Sequence, residues 1–285
     1  MNPYNPFADP EALIEDGLKV KDVVPTPPSK RSEDNNEGKG GGDTVPADFS
    51  IEDVVNQNCY RITGVRHNCK TRAVATFAYD LSKSPLEVAT QDVHVARAKA
   101  AKPTEFRACP APVVYAVAKA LWLHRDDDKW KVVVETARQT LNGIIGPGKP
   151  WVNTLSRVKW SPNGPDEMIH NYGLPDQYSL SKDLVGPDGY IKEAETKADA
   201  YVAALFDTDD TVEMVNQVFK WITDKDSHAW RFKQHPAKIE ERVVALGVGN
   251  LGGGGFSLCA NGDVVVGIRP ALGVRPVGAQ NLQSK

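Results

Sequence analysis

The sequence predicts a mainly α protein: a single helical core of about six or seven helices, a late β-hairpin, and flexible N- and C-terminal arms. Three observations carry that expectation. Apolar residues recur at helical spacing through much of 70–246. Helix-start chemistry precedes several of those stretches. Both ends are built largely from glycine, proline and polar residues. The expected boundaries are an N-terminal arm at 1–48, a helical core at 49–246, and a Gly-rich C-terminal hairpin and extended arm at 247–285.

Within the N-terminal arm, residues 9–20 carry a short helical pattern that needs a partner surface. Residues 25–48 hold almost nothing apolar, so burial cannot offset the entropy of ordering them, and a disordered linker is expected. The core opens near Phe49. Residues 59–65 (CYRITGV) alternate weakly, as a short strand or an irregular entry. Asn68 is placed to cap a helix over 70–81, with Val74, Phe77 and Leu81 on one face. Ser84-Pro85-Leu86-Glu87 has serine at an N-cap, proline at the first helical position and glutamate three after the cap, predicting a helix to Ala101.

Pro110 and Pro112 open an apolar helix to Leu123, predicted to be central core. Asp126 to Asp128 cap the next, through Trp130, Val134 and Ala137 to Gly143. Six prolines and many glycines make 144–190 read as a long irregular connection. Helices follow at 191–206 and 210–223, the second starting Asp210-x-x-Glu213, and a shorter one at 236–246. Asn261-Gly262 between two apolar runs signals a hairpin. Everything past Gly267 reads as an extended tail, and no internal repeat is evident.

Composition narrows the function. The chain has 285 residues, 41% hydrophobic, enough for a sizeable core. No run approaches the roughly 20 apolar residues that cross a bilayer, so no membrane insertion is expected. Asp9, Glu11, Glu15 and Asp16 fall where a secretory signal needs a basic then apolar stretch, which points to an intracellular protein or a virion component. Cys59, Cys69, Cys109 and Cys259 form no C-x-x-C pair and read as buried reduced thiols. Cys59, His67 and Cys69 make one loose cluster where structural zinc needs two tight ligand pairs, so no metal is expected.

The six histidines share no metal-ligand spacing, and neither a nucleophile elbow nor a phosphate-binding G-K-[ST] loop occurs. No catalytic residue and no cofactor is assigned. Gly247-Val248-Gly249-Asn250-Leu251-Gly252 matches a dinucleotide fingerprint, but a hairpin follows where a helix and a parallel strand are needed. A hinge or close-packed loop is the reading adopted. Asn5-Pro6-Phe7 in the N-terminal arm resembles the short peptides bound by endocytic EH domains, and so marks a candidate peptide-recognition partner.

Charge is the stronger signal. The net charge is −3, yet 49–125 carries 11 Lys/Arg against 6 Asp/Glu, and 161–216 carries 3 against 12. Two opposed fields suit a polyanion on one side, a second copy of the chain on the other, or mutual neutralisation within one fold. Arg61, Arg66, Lys70, Arg72, Arg97 and Lys102 are the candidate phosphate contacts, interleaved with Tyr60, Phe77, Tyr79 and Phe106, whose rings can stack on bases. In architecture this layout resembles the coat and nucleocapsid proteins of helical viruses, whose arms reach adjacent subunits around a basic groove. The resemblance implies a self-assembling homo-oligomer or polymer that packages single-stranded nucleic acid, RNA in the first instance. The alternatives are an intracellular adaptor acting through its arms and an enzyme with a non-local site.

Overall fold

The computed structural model describes residues 48–68, 74–187, 189–190, 199–249, 255–259 and 267–277. The chain divides after Asp43, and all described residues belong to the unit Thr44–Lys285. The expected N-terminal arm, including Asn5-Pro6-Phe7, the Asn261-Gly262 turn, and two of the candidate cations, Lys70 and Arg72, lie outside the described residues.

In chain order the first strands are β1 (Ser50–Val54), β2 (Cys59–Asn68), β3 (Val74–Ser82) and β4 (Leu86–Ala89). Helix α1 (Gln91–Ala100), strand β5 (Arg107–Ala108), and helices α2 (Ala111–Leu123) and α3 (Lys131–Ile145) follow. The middle of the chain forms β6 (Val152–Trp160), β7 (Asp166–His170), β8 (Tyr178–Lys182) and β9 (Gly189–Tyr190). After α4 (Ala200–Phe206) and α5 (Val212–Thr223) come β10 (Ser227–Trp230), β11 (Glu240–Val248), β12 (Phe256–Cys259), β13 (Arg269–Ala271) and β14 (Gly273–Pro276).

The fold is therefore mixed α/β with a sheet-rich core, and the mainly α expectation is overturned. A five-stranded sheet has the order β1-β2-β3-β14-β5; a nine-stranded one runs β4-β13-β6-β11-β12-β10-β9, with the β7–β8 hairpin branching from β6. Helices lie between them: α2 packs on β2 of the first sheet and β6 of the second, and α3 on β1 and β11. Ten of the thirteen α2 residues are buried, so this is the central helix that its apolar sequence predicted.

Each misread element has a local cause. In 74–82, Val74, Phe77 and Leu81 fit a helical stripe, but Phe77, Tyr79 and Leu81 also alternate with period two, and the strand won by pairing with β2 and β14. Leu86–Ala89 is edge strand β4, and α1 begins only after Thr90, whose side chain accepts from Val93 N at 3.4 Å. The stretch 144–190 contains β6, which pairs with β11, β13 and β7. Its polar residues concealed it: Thr154 donates to Val244 O at 2.9 Å, and Asn153 donates to Gly267 O at 3.0 Å, so side chains buried in a central strand are satisfied without an apolar pattern. The expected helix at 236–246 is β11, a short apolar run of ambiguous period.

Past Gly267 the chain does not trail away. Arg269–Ala271 pairs with β4 and β6 in one sheet, buried Leu272 crosses over, and Gly273–Pro276 pairs with β3 and β5 in the other. The β11 glycine is close-packed: a Cβ on Gly247 would lie 2.7 Å from Trp151 Cδ1, and β12 returns antiparallel. That geometry is not the βαβ unit a dinucleotide fingerprint requires.

Candidate nucleic-acid interface

A cleft of about 520 Å³ lies between the far end of the first sheet, the start of α2 and the β7–β8 turn. Strands β2 and β3 supply His67, Asn68, Ala75, Thr76, Phe77 and Tyr79. Strand β5 supplies Arg107, and the opposite wall is Asn171, Leu174, Asp176 and Tyr178. Strand period places Ala75, Phe77 and Tyr79 on one face of β3, and His67 pairs with Ala75 across the ladder, so three rings come together. His67 and Phe77 stack with centroids 4.5 Å apart; Phe77 and Tyr79 lie at 5.9 Å.

Burial holds the His67 imidazole below its ordinary range, against the opposing effects of the Asn68 carbonyl and the Asp207 charge. Neutral, it donates from Nδ1 to Asn68 O at 2.5 Å and accepts at Nε2 from the Tyr79 hydroxyl at 2.8 Å. Asn68 in turn donates to Asp207 O at 2.8 Å, and Tyr178 donates to the Asp207 carboxylate at 3.0 Å. The wall is thus tied to the end of α4, and the ring cluster is held in place before any ligand arrives. Cys109 forms part of the lining, but burial pushes its thiol up to about 12, which makes it inert.

Arg107 lines the cleft and makes no ion pair with another described residue. Arg66 is exposed near the end of β2, opposite Thr76, and by strand period projects from the face opposite His67 and Ala75, outside the cleft lining.

The other sequence candidates are placed elsewhere. Arg61 is bound to buried Asp80 on the far face of the sheet, with Nε to Oδ1 at 2.9 Å. Arg97, on α1, lies 3.3 Å from Glu87, and Lys102 is exposed in the loop before β5. Tyr60 is core, while Phe106 lies under the Arg275 guanidinium. Arg107 was the residue sequence reasoning missed; it adjoins the flagged Phe106, but nothing in the sequence shows that β5 would close the sheet beside the β2–β3 rings. The two charge fields meet at Lys119, bound to Asp210 at 2.6 Å.

Two other constellations have chemical interest. Ser156 Oγ and His170 Nδ1 are 2.8 Å apart, as in a nucleophile–base pair, but both residues are fully buried. His170 Nε2 donates to Ala204 O, and Ser156 Oγ accepts from Ala111 N, so the pair joins β6, β7, α2 and α4 and offers no substrate access. Asp166, Asp183 and His235 bring three metal-ligating groups within 4.8 Å of one another. Of the loose sequence cluster, Cys59 and His67 lie toward opposite ends of β2, and Cys69 lies outside the described residues.

Among the described residues no helix is long and apolar enough to cross a membrane. In comparisons with known proteins, no family model, no curated protein and no solved structure matches the chain.

Proposed function

We propose that this protein binds single-stranded nucleic acid, with an unpaired base entering the cleft against Phe77 and a backbone phosphate held by Arg107, while Arg66, Lys70 and Arg72 are sequence-based candidates for phosphates further along the strand. One observation carries this reading: a preorganised ring cluster shares a cleft with an arginine that has no partner among the described residues. A base needs a π-face, and a phosphate needs a cation that is not already neutralised. Single strands are favoured over duplex because the rings lie inside a concavity that a paired base cannot enter. Arg61 drops out of the phosphate set, since its guanidinium is committed to Asp80.

The wider role is a self-assembling structural protein that packages the strand. The +5 and −9 regions support it, because a basic face meeting an acidic face on the next copy is a heterologous contact, and such contacts generate rings or filaments. Light scattering on a sizing column, with absorbance at 260 and 280 nm followed across each peak, tests both parts on the full chain. Oligomers that gain mass and 260 nm absorbance with single-stranded RNA are expected. A monomer that excludes RNA at low salt would refute the reading.

A further inference from the structure

We infer that Asp166, Asp183 and His235 form a site for one zinc-like divalent cation. Asp166 opens β7, Asp183 follows β8, and His235 lies in the loop before β11, so three separate segments converge. The site is at the opposite end of the β7–β8 hairpin from the cleft and does not rest on the nucleic-acid reading.

The Asp166 carboxylate is fully buried. Its Oδ1 accepts from Ser161 N and its Oδ2 from Leu184 N, both at 2.9 Å, and these two backbone bonds fix the carboxylate's orientation, as supporting hydrogen bonds do for a metal ligand. Among the described residues no lysine or arginine pairs with it, and the basic side chain nearest to it is His235. A buried anion left with two amides and a half-buried imidazole is incompletely compensated.

His235 supplies an independent observation. Its Nδ1 is buried and makes no hydrogen bond, although it lies 3.4 Å from Asp166 Oδ1. Two ligand atoms each about 2.1 Å from a tetrahedral ion are separated by about 3.4 Å. That separation is long for a hydrogen bond and fits a shared cation. Asp183 Oδ1 is 3.7 Å from Nε2 of the same ring, on a largely exposed side chain that is free to turn toward the ion. One imidazole and two carboxylates are a borderline donor set suited to zinc, and the exposed side leaves a fourth position for water.

Full-length protein stripped with a chelator and titrated calorimetrically with zinc chloride should take up one equivalent. Asp183→Asn and His235→Gln should each weaken that uptake at least tenfold, while the metal-free unfolding midpoint of the Asp183→Asn protein stays unchanged. Cobalt in place of zinc should give the intense visible absorption of a four-coordinate site, lost in both variants. Absence of saturable uptake by the parent protein overturns the assignment, as does uptake that survives Asp183→Asn undiminished.

Discussion

Arg275, on the last described strand, donates from Nε to Oδ2 of Asp80 on the neighbouring strand at 3.0 Å. Arg61 approaches the same carboxylate from β2, and Arg275 also donates to Thr104 O at 2.6 Å, so one buried acid joins β2, β3, β14 and the loop before β5. Burial alone would raise the Asp80 carboxyl; the hydrogen bonds and charges of Arg61 and Arg275 outweigh it and hold the group below its ordinary value. Its folded-state pKa being depressed, the contribution is present above the unfolded value near 3.8 and is lost as pH falls through the folded value. Asp80→Asn should cost about 2–3 kcal/mol at neutral pH, because two guanidinium groups lose their counter-charge. Urea unfolding at pH 7 and pH 3 should show a smaller difference between variant and parent at the lower pH.

A second acid-sensitive window lies nearer neutrality. His67, His94 and His124 are all held below the ordinary imidazole value, in each case first by burial. Between those lowered values and about 6.5 the unfolded chain binds more protons than the folded one, so stability falls as pH drops from about 6.5. Protonation of His67 also ends its acceptance from Tyr79. The thermal midpoint should decline from pH 7 to pH 5, and His67→Gln should flatten part of that slope; a slope unchanged in the variant would exclude His67 as a contributor.

Gly247 tests the packing reading of the glycine motif. A methyl group there would be 2.7 Å from Trp151 Cδ1 and 3.0 Å from its Cα, and the second of these is backbone that cannot swing aside. Gly247→Ala should therefore destabilise by about 1–3 kcal/mol through overpacking. Equilibrium unfolding in urea measures it, and an unchanged midpoint would show that the two strands can separate without cost.

In the cleft, ring and cation should separate by experiment. Phe77→Ala removes a stacking face, at about 1–3 kcal/mol of affinity for a single-stranded oligonucleotide, and should leave the salt dependence unchanged. Arg107→Gln should weaken binding and reduce the salt slope by about one released ion. Fluorescence anisotropy at several salt concentrations reads both.

Helices α2 and α5 were legible because their apolar residues are numerous and their capping chemistry is local, although Thr211, rather than Asp210, caps α5. Strand β2 could be read in part. The central strand β6 was not legible, since Asn153, Thr154, Ser156 and Arg157 are buried with polar partners supplied by distant segments. Arg157 alone reaches Gln91, Asp92 and Glu241. Strands β13 and β14 are three and four residues long, too short for any period to show. For the candidate site, Phe77 and Tyr79 were visible as aromatic types close to basic residues in sequence. Arg107 and the Asn171–Tyr178 wall were not, because sheet closure by β5 and the β7–β8 turn is non-local.

Photocrosslinking bears most directly on the proposed role. The full-length protein bound to an RNA oligonucleotide carrying 4-thiouridine would be irradiated, digested and mapped by mass spectrometry. Crosslinks concentrated on peptides containing His67, Phe77 and Tyr79, and lost in Phe77→Ala, are the expected result. Crosslinks confined to other surfaces, or none despite saturating RNA, would contradict the assignment of this cleft as the nucleic-acid interface.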